Sequence, residues 1–180
     1  HLANDVRGGY NEFVKKQAED PGETRITLAQ FDNEYKLSYK GVDCRHVPEL
    51  EYMPRGTTAL FDAIGKTMNE QGARIAAEKW ADKVIVFILT DGAENASREY
   101  TNERIKEMIE RAQKAGWSFV YFAANQDAFA AAQNVGINTA SANNATATFA
   151  ATGAGLRSAY GSASASVSNL KGGFVPPVTK

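Results

Sequence analysis

The chain has 180 residues, a formal net charge of −1, 43% hydrophobic and 23% charged residues. This suits one globular domain with a real core, and the near-zero charge gives no electrostatic drive toward nucleic acid or an anionic membrane. No apolar run approaches the roughly 18 residues of a membrane span, and the lone Cys44 excludes an internal disulfide or a cysteine metal cluster. A single thiol suits a reducing compartment, so a cytoplasmic location is expected. The chain opens at His1 without an initiator Met, and targeting is not legible from it.

Residues 3–18 read as a helix, because Val6, Tyr10, Phe13, Val14 and Ala18 fall on one stripe. Asp20-Pro21-Gly22 ends it. Residues 24–31 read as a strand, Asp32-Asn33-Glu34 as a tight turn, and residues 35–40 as a short antiparallel edge strand, since so short a link holds no crossover. Residues 41–55 are irregular and carry Pro48 and Pro54. A helix is expected from Thr58 to about Gln71, with Leu60, Ile64 and Met68 four apart and Gly72 placed to cap it. A further helical turn or two fits Ala73–Trp80.

The strongest signal follows. Val84-Ile85-Val86-Phe87-Ile88-Leu89 is unbroken and apolar, and it stops at Thr90-Asp91-Gly92. Such a run reads as a strand at 83–90 buried on both faces, typical of a parallel sheet covered by helices. Ligands bind at the carboxyl ends of strands in such sheets, which places Asp91 at the functional edge. Asp-Gly also closes ordinary turns; Gly56-Thr57-Thr58-Ala59-Leu60, a second small polar loop opening a helix, singles Asp91 out.

A loop at 92–100 leads to an amphipathic helix at 101–115, with Ile105, Met108, Ile109 and Ala112 inward. Residues 117–124 form another apolar strand. Asn125-Gln126-Asp127 then opens a short Ala-rich helix ending near Gly136. A last strand is expected at 145–149 and a helix of small residues at 152–168. Residues 1–170 make one domain. Residues 171–180, with two Gly and two Pro, read as a tail or linker. The alternation implies an α/β domain with a mostly parallel sheet. A leading helix needs a strand before it to form a βαβ unit, and none precedes residue 3.

The order strand, short edge strand, Gly56-Thr57-Thr58-Ala59-Leu60-Phe61-Asp62-Ala63-Ile64, then Val84–Gly92, resembles the von Willebrand factor A (VWA) domain family. Gln30–Tyr35 is similar to the family's second strand and its turn, and the likeness covers roughly residues 3–168. It looks most like bacterial and phage-encoded forms. The resemblance implies a Rossmann-like doubly wound sheet, mostly parallel, with one antiparallel edge strand and helices on both faces. It also implies a metal-ion-dependent adhesion site for Mg²⁺ or Mn²⁺. By resemblance Thr58 matches the family's Thr, with Thr57 as runner-up, and Asp91 matches its Asp. The family's Asp-x-Ser-x-Ser loop has no counterpart here. That loop and the absent strand would both lie upstream of residue 1, so divalent-metal affinity is expected to be weak or absent. Strands 24–31 and 83–90, neighbours of that absent strand in the family, are expected to stand apart.

Around these positions Glu94, Asn95, Asn125 and Asp127 lie near the carboxyl ends of strands. Ligand contact and capping of the following helices are both open for them. Asp62 sits early in a helix and favours its dipole. His46 reads as a surface loop residue, because no Ser or Cys motif accompanies it. The expected function is protein binding, through an acidic side chain of a partner. The alternative is a structural or assembly component, such as one of a phage virion, that needs no metal. No enzyme activity is expected, because no nucleophile–base pair or dinucleotide loop is present.

Overall fold

The computed structural model describes residues 2–53, 56–79 and 81–172. Its elements run α1 (Ala3–Glu19), β1 (Arg25–Phe31), β2 (Tyr35–Asp43), α2 (Leu60–Glu78), β3 (Ile85–Thr90), α3 (Asn102–Lys114), β4 (Ser118–Ala124), α4 (Ala128–Asn134), β5 (Asn144–Phe149) and α5 (Gly153–Gly172). A 3-10 turn at Cys44–His46 follows β2. No helix among the described residues is long and apolar enough to cross a membrane.

Strands β3, β4 and β5 form a parallel sheet in that order, with Phe87 opposite Val120 and Tyr121 opposite Thr146. Parallel neighbours need crossovers, and α3 and α4 supply them. Alternate side chains enter opposite layers. Phe87, Val120 and Phe122 pack with Tyr10 and Phe13 of α1 and with Leu156 and Tyr160 of α5. Val86, Ile88, Phe119 and Tyr121 pack with Leu60 and Ile64 of α2 and with Ile105 and Ile109 of α3. Helices therefore cover both faces, and every residue of β4 is buried.

Strands β1 and β2 form an antiparallel hairpin, and Asp32 Oδ1 fixes its turn by accepting the Glu34 N–H at 2.7 Å. Strand β2 runs on to Asp43 instead of ending near residue 40. Gly41 takes φ +61°, its N–H donates to Thr27 Oγ1 at 3.0 Å, and the register shifts on either side of Leu28. The ladder thus absorbs the glycine through an irregularity.

The expectation of one mostly parallel sheet needs correction. The hairpin is a separate sheet, and β1 shares no ladder with β3 among the described residues. Among the described residues no strand pairs with both.

Helix α2 also differs from expectation. It passes through Gly72 and ends at Glu78, where Lys79 takes the left-handed conformation and donates its N–H to Ile75 O at 3.0 Å. A mid-helix glycine costs only about 1 kcal/mol relative to Ala. The good helix formers that follow, with the Arg74–Glu78 ion pair at 2.9 Å, carry the helix onward. Trp80 lies outside the described residues. Helix α5 runs to Gly172, past the expected end at 168 and into the expected tail. Residues 173–180 of that tail lie outside the described residues, as does Pro54.

Candidate functional site at the carboxyl ends of the strands

The segment that opens α2 gathers the ends of β1 and β3. Ala59 N–H donates to Asp32 O at 2.7 Å. Thr58 N–H donates to Asn95 Oδ1 at 2.9 Å, and Asn95 N–H donates back to Thr58 O at 3.0 Å. A Cβ built on Gly92 would meet Thr58 Oγ1 at 2.5 Å. Only glycine therefore lets the Thr58 hydroxyl rest against the backbone just after Asp91. Asp91 is exposed, and its carboxylate accepts no hydrogen bond among the described residues. Thr57 is exposed as well. It lines an open depression of about 880 Å³ with Phe31, Tyr35, Asp62, Lys66 and Asn95.

Two carboxylates hold the 92–100 loop onto α2. Glu94 accepts the N–H groups of Phe61 (2.9 Å), Ala96 (2.9 Å) and Ser97 (2.8 Å), and the Ser97 hydroxyl at 2.7 Å. Burial pushes its carboxyl up, but these donors outweigh burial and hold it below the ordinary glutamate value. Asp62 is buried and accepts the N–H groups of Arg98, Glu99 and Tyr100, each at 2.9 Å. Burial again raises and the backbone donors lower, with Lys66 helping, and the net direction is down. Tyr52 senses both strand ends. Burial raises its hydroxyl, and the charges of Asp91 and Asp32 raise it further.

The remaining candidates make internal bonds. Asn125 has φ 52°, and its Oδ1 accepts the Ala151 N–H at 3.2 Å. Asp127 caps α4, accepting the N–H groups of Phe129 and Ala130 at 3.0 Å. Gln126 Nε2 reaches Gly92 O at 3.4 Å and links this corner to the end of β3. Of the residues singled out from sequence, the structure brings Thr58, Asp91 and Asn95 together. It turns Glu94 inward, and it places Asn125 and Asp127 one strand away, beyond β4. The clamp made by Asp62 and the position of Tyr52 were not read from sequence. Asp62 carried one signal, an acid in the first turn of a helix, without any sign of its partners 36 to 38 residues downstream.

A family model for the von Willebrand factor type A domain matches residues 3–160. The chain belongs to that family. VWA domains generally mediate protein–protein interactions. No curated protein matches this chain.

The oxygen donors at Thr58 and Asp91 are of the hard type that Mg²⁺ and Mn²⁺ prefer. Among the described residues no group of three or more His, Cys, Asp or Glu is placed to hold a metal. A cation held here by the VWA chain would have one hydroxyl and one carboxylate from it. Most of its coordination positions would then fall to water or to another molecule.

Proposed function

We propose that this VWA chain is a non-enzymatic protein-binding module whose face is the carboxyl end of β3 and the start of α2. The observation that supports this is the Thr58 hydroxyl seated on Gly92 beside an exposed Asp91 carboxylate that accepts no hydrogen bond among the described residues. In this reading Thr58 and Asp91 supply oxygen ligands to Mg²⁺ or Mn²⁺. The ion, when bound, offers an electron-poor centre to an acidic side chain of the partner. Asn95 positions Thr58 through its paired bonds, and Glu94 holds the loop that carries Asn95. With two ligands from the chain, affinity for the free cation is weak. The location proposed is the cytoplasm.

The test is a pull-down with the 180-residue chain as bait, with Mg²⁺ and with EDTA. Capture of a partner in Mg²⁺, lost in EDTA and lost with Asp91→Ala, supports the reading. Capture that ignores EDTA sinks it. That result favours the second reading, a structural or assembly component such as one of a phage virion.

A further inference from the structure

Asp91-Gly92 is the one Asp-Gly pair in the 180 residues, and no Asn-Gly pair occurs. An aspartate before glycine is the one best placed to cyclise, because glycine presents its amide nitrogen with no side chain beside it. The structure leaves the Asp91 carboxylate available for that step. The residue is exposed, and its carboxylate accepts no hydrogen bond among the described residues. Two other acids at helix starts differ on both counts. Asp62 accepts three backbone N–H groups and Asp127 accepts two, and each is followed by alanine.

The peptide plane between Asp91 and Gly92 is lightly held. Among the described residues the Gly92 N–H donates to Thr90 Oγ1 alone, at 3.3 Å, which is longer than an ordinary N–H···O bond. The firmer contact lies one plane further on, where the Thr90 hydroxyl donates to Gly92 O at 2.8 Å. Nor does the fold accept another residue at 92. A Cβ there would stand 2.5 Å from Thr58 Oγ1. The contact that builds this corner is therefore the one that keeps the dipeptide in place.

We propose that Asp91-Gly92 is a modification site, at which Asp91 converts spontaneously to isoaspartate and so closes down the Thr58–Asp91 corner as the molecule ages. The Gly92 amide nitrogen attacks Asp91 Cγ. The N–Cγ bond forms, the C–OH bond of the carboxyl breaks, and the amide proton leaves with that hydroxyl as water. The product is a succinimide ring. Water then adds at either ring carbonyl. Opening on the main-chain side leaves isoaspartate, with the backbone running through Cβ and Cγ. Nothing is oxidised or reduced, and water is the only co-reactant. Isoaspartate carries its carboxylate directly on Cα, so the acid retracts by one methylene. The backbone before Gly92 gains one atom, so Gly92 shifts from its seat against Thr58. The chemistry is independent of what the corner binds; only its bearing on partner capture rests on the proposed function.

The test holds the 180-residue chain for several weeks at neutral pH and physiological temperature, in EDTA and in water labelled with heavy oxygen. A second sample is held in urea. Peptide mapping with fragmentation that separates aspartate from isoaspartate follows every Asp. Isoaspartate is expected at residue 91 and not at the other aspartates, with one solvent oxygen taken up per event. Its rate in the folded chain should lie within about threefold of that in urea, because the loop needs little opening to react. Asp91→Glu, whose cyclisation needs a larger ring, should stay unmodified. The Thr58 NMR signals should move in proportion to conversion, a readout that needs neither metal nor partner. A folded rate below about one-tenth of that in urea would show that the fold shields the pair, and overturns the proposal. Isoaspartate spread evenly over other aspartates overturns it too, as do Thr58 signals that stay fixed while residue 91 converts.

Discussion

Replacing Asp62 by Ala removes three acceptors at once, since Arg98, Glu99 and Tyr100 each donate to its carboxylate at 2.9 Å. A hydrogen bond to a charged group contributes about 1.5–3 kcal/mol when its loss leaves the donor buried. These donors lie in a surface loop, where water replaces part of the lost interaction. The low end applies, and bonds sharing one carboxylate do not add fully. The expected loss is about 2–4 kcal/mol at pH 7, read as a lower urea midpoint at constant m. Asp62→Asn keeps one carbonyl oxygen and is expected to lose about half as much. The sign with pH follows from the direction of the shift. The folded carboxyl lies below its unfolded value of about 3.9, so its contribution is complete above about pH 4 and is lost as pH falls through the folded pKa. The gap between wild type and Asp62→Ala should therefore be constant from pH 5 to 8 and shrink toward pH 3. Amide exchange at residues 98–100 should accelerate in step. A loss below about 1 kcal/mol, or a gap that does not shrink in acid, would refute the clamp.

Three further outcomes are expected. Asp91→Ala should change stability by no more than about 0.5 kcal/mol, because the side chain is exposed and unbonded, while abolishing EDTA-sensitive capture; calorimetry beside the pull-down checks both. Gly92→Ala should displace Thr58, since the new methyl would stand 2.5 Å from its Oγ1, costing about 1–3 kcal/mol and the same capture, with the Thr58 NMR signals shifted. Ile109→Ala, at a position with 0% exposure, should cost about 2–5 kcal/mol in urea unfolding and leave Mg²⁺-dependent capture intact at temperatures where the variant is folded.

The elements whose sequence is governed by local pattern were legible. The unbroken run at 84–89, the strand at 117–124 and the stripe of Ile105, Ile109 and Ala112 were all readable, because burial on fixed faces imposes a period. Less legible were the places where a distant partner overrides a local signal. Gly72 looked like a helix end, but residues 73–78 continue the helix and Trp117 lies 3.8 Å from where its Cβ would be. Gly41 looked like a strand end, but Thr27 supplied its acceptor. At the candidate site, Asp91 was readable as a strand end and Thr58 as a small polar loop opening a helix, and the structure seats the one loop against the other. The inward turn of Glu94 was not, because its partner Phe61 lies 33 residues away and belongs to a helix start that no local rule connects to it.

Helix α2 has no side-chain cap of its own, since Ala59 precedes it. Its first free donors are met by Glu94 and Ser97, which arrive only after β3 has been laid down. In kinetic terms the start of this helix is expected to be a late event. It must wait for a chain loop of more than thirty residues to close, an entropic delay that local helix nucleation cannot shorten. Thr58 sits immediately before that start. The corner holding Thr58 and Asp91 is therefore expected to come into register only once β3 and its following loop have docked, and a partner of the proposed kind would select chains that have finished folding. The same coupling runs in reverse: opening of the 92–100 loop uncaps α2 and dissolves the corner in one step, with most of the core still closed.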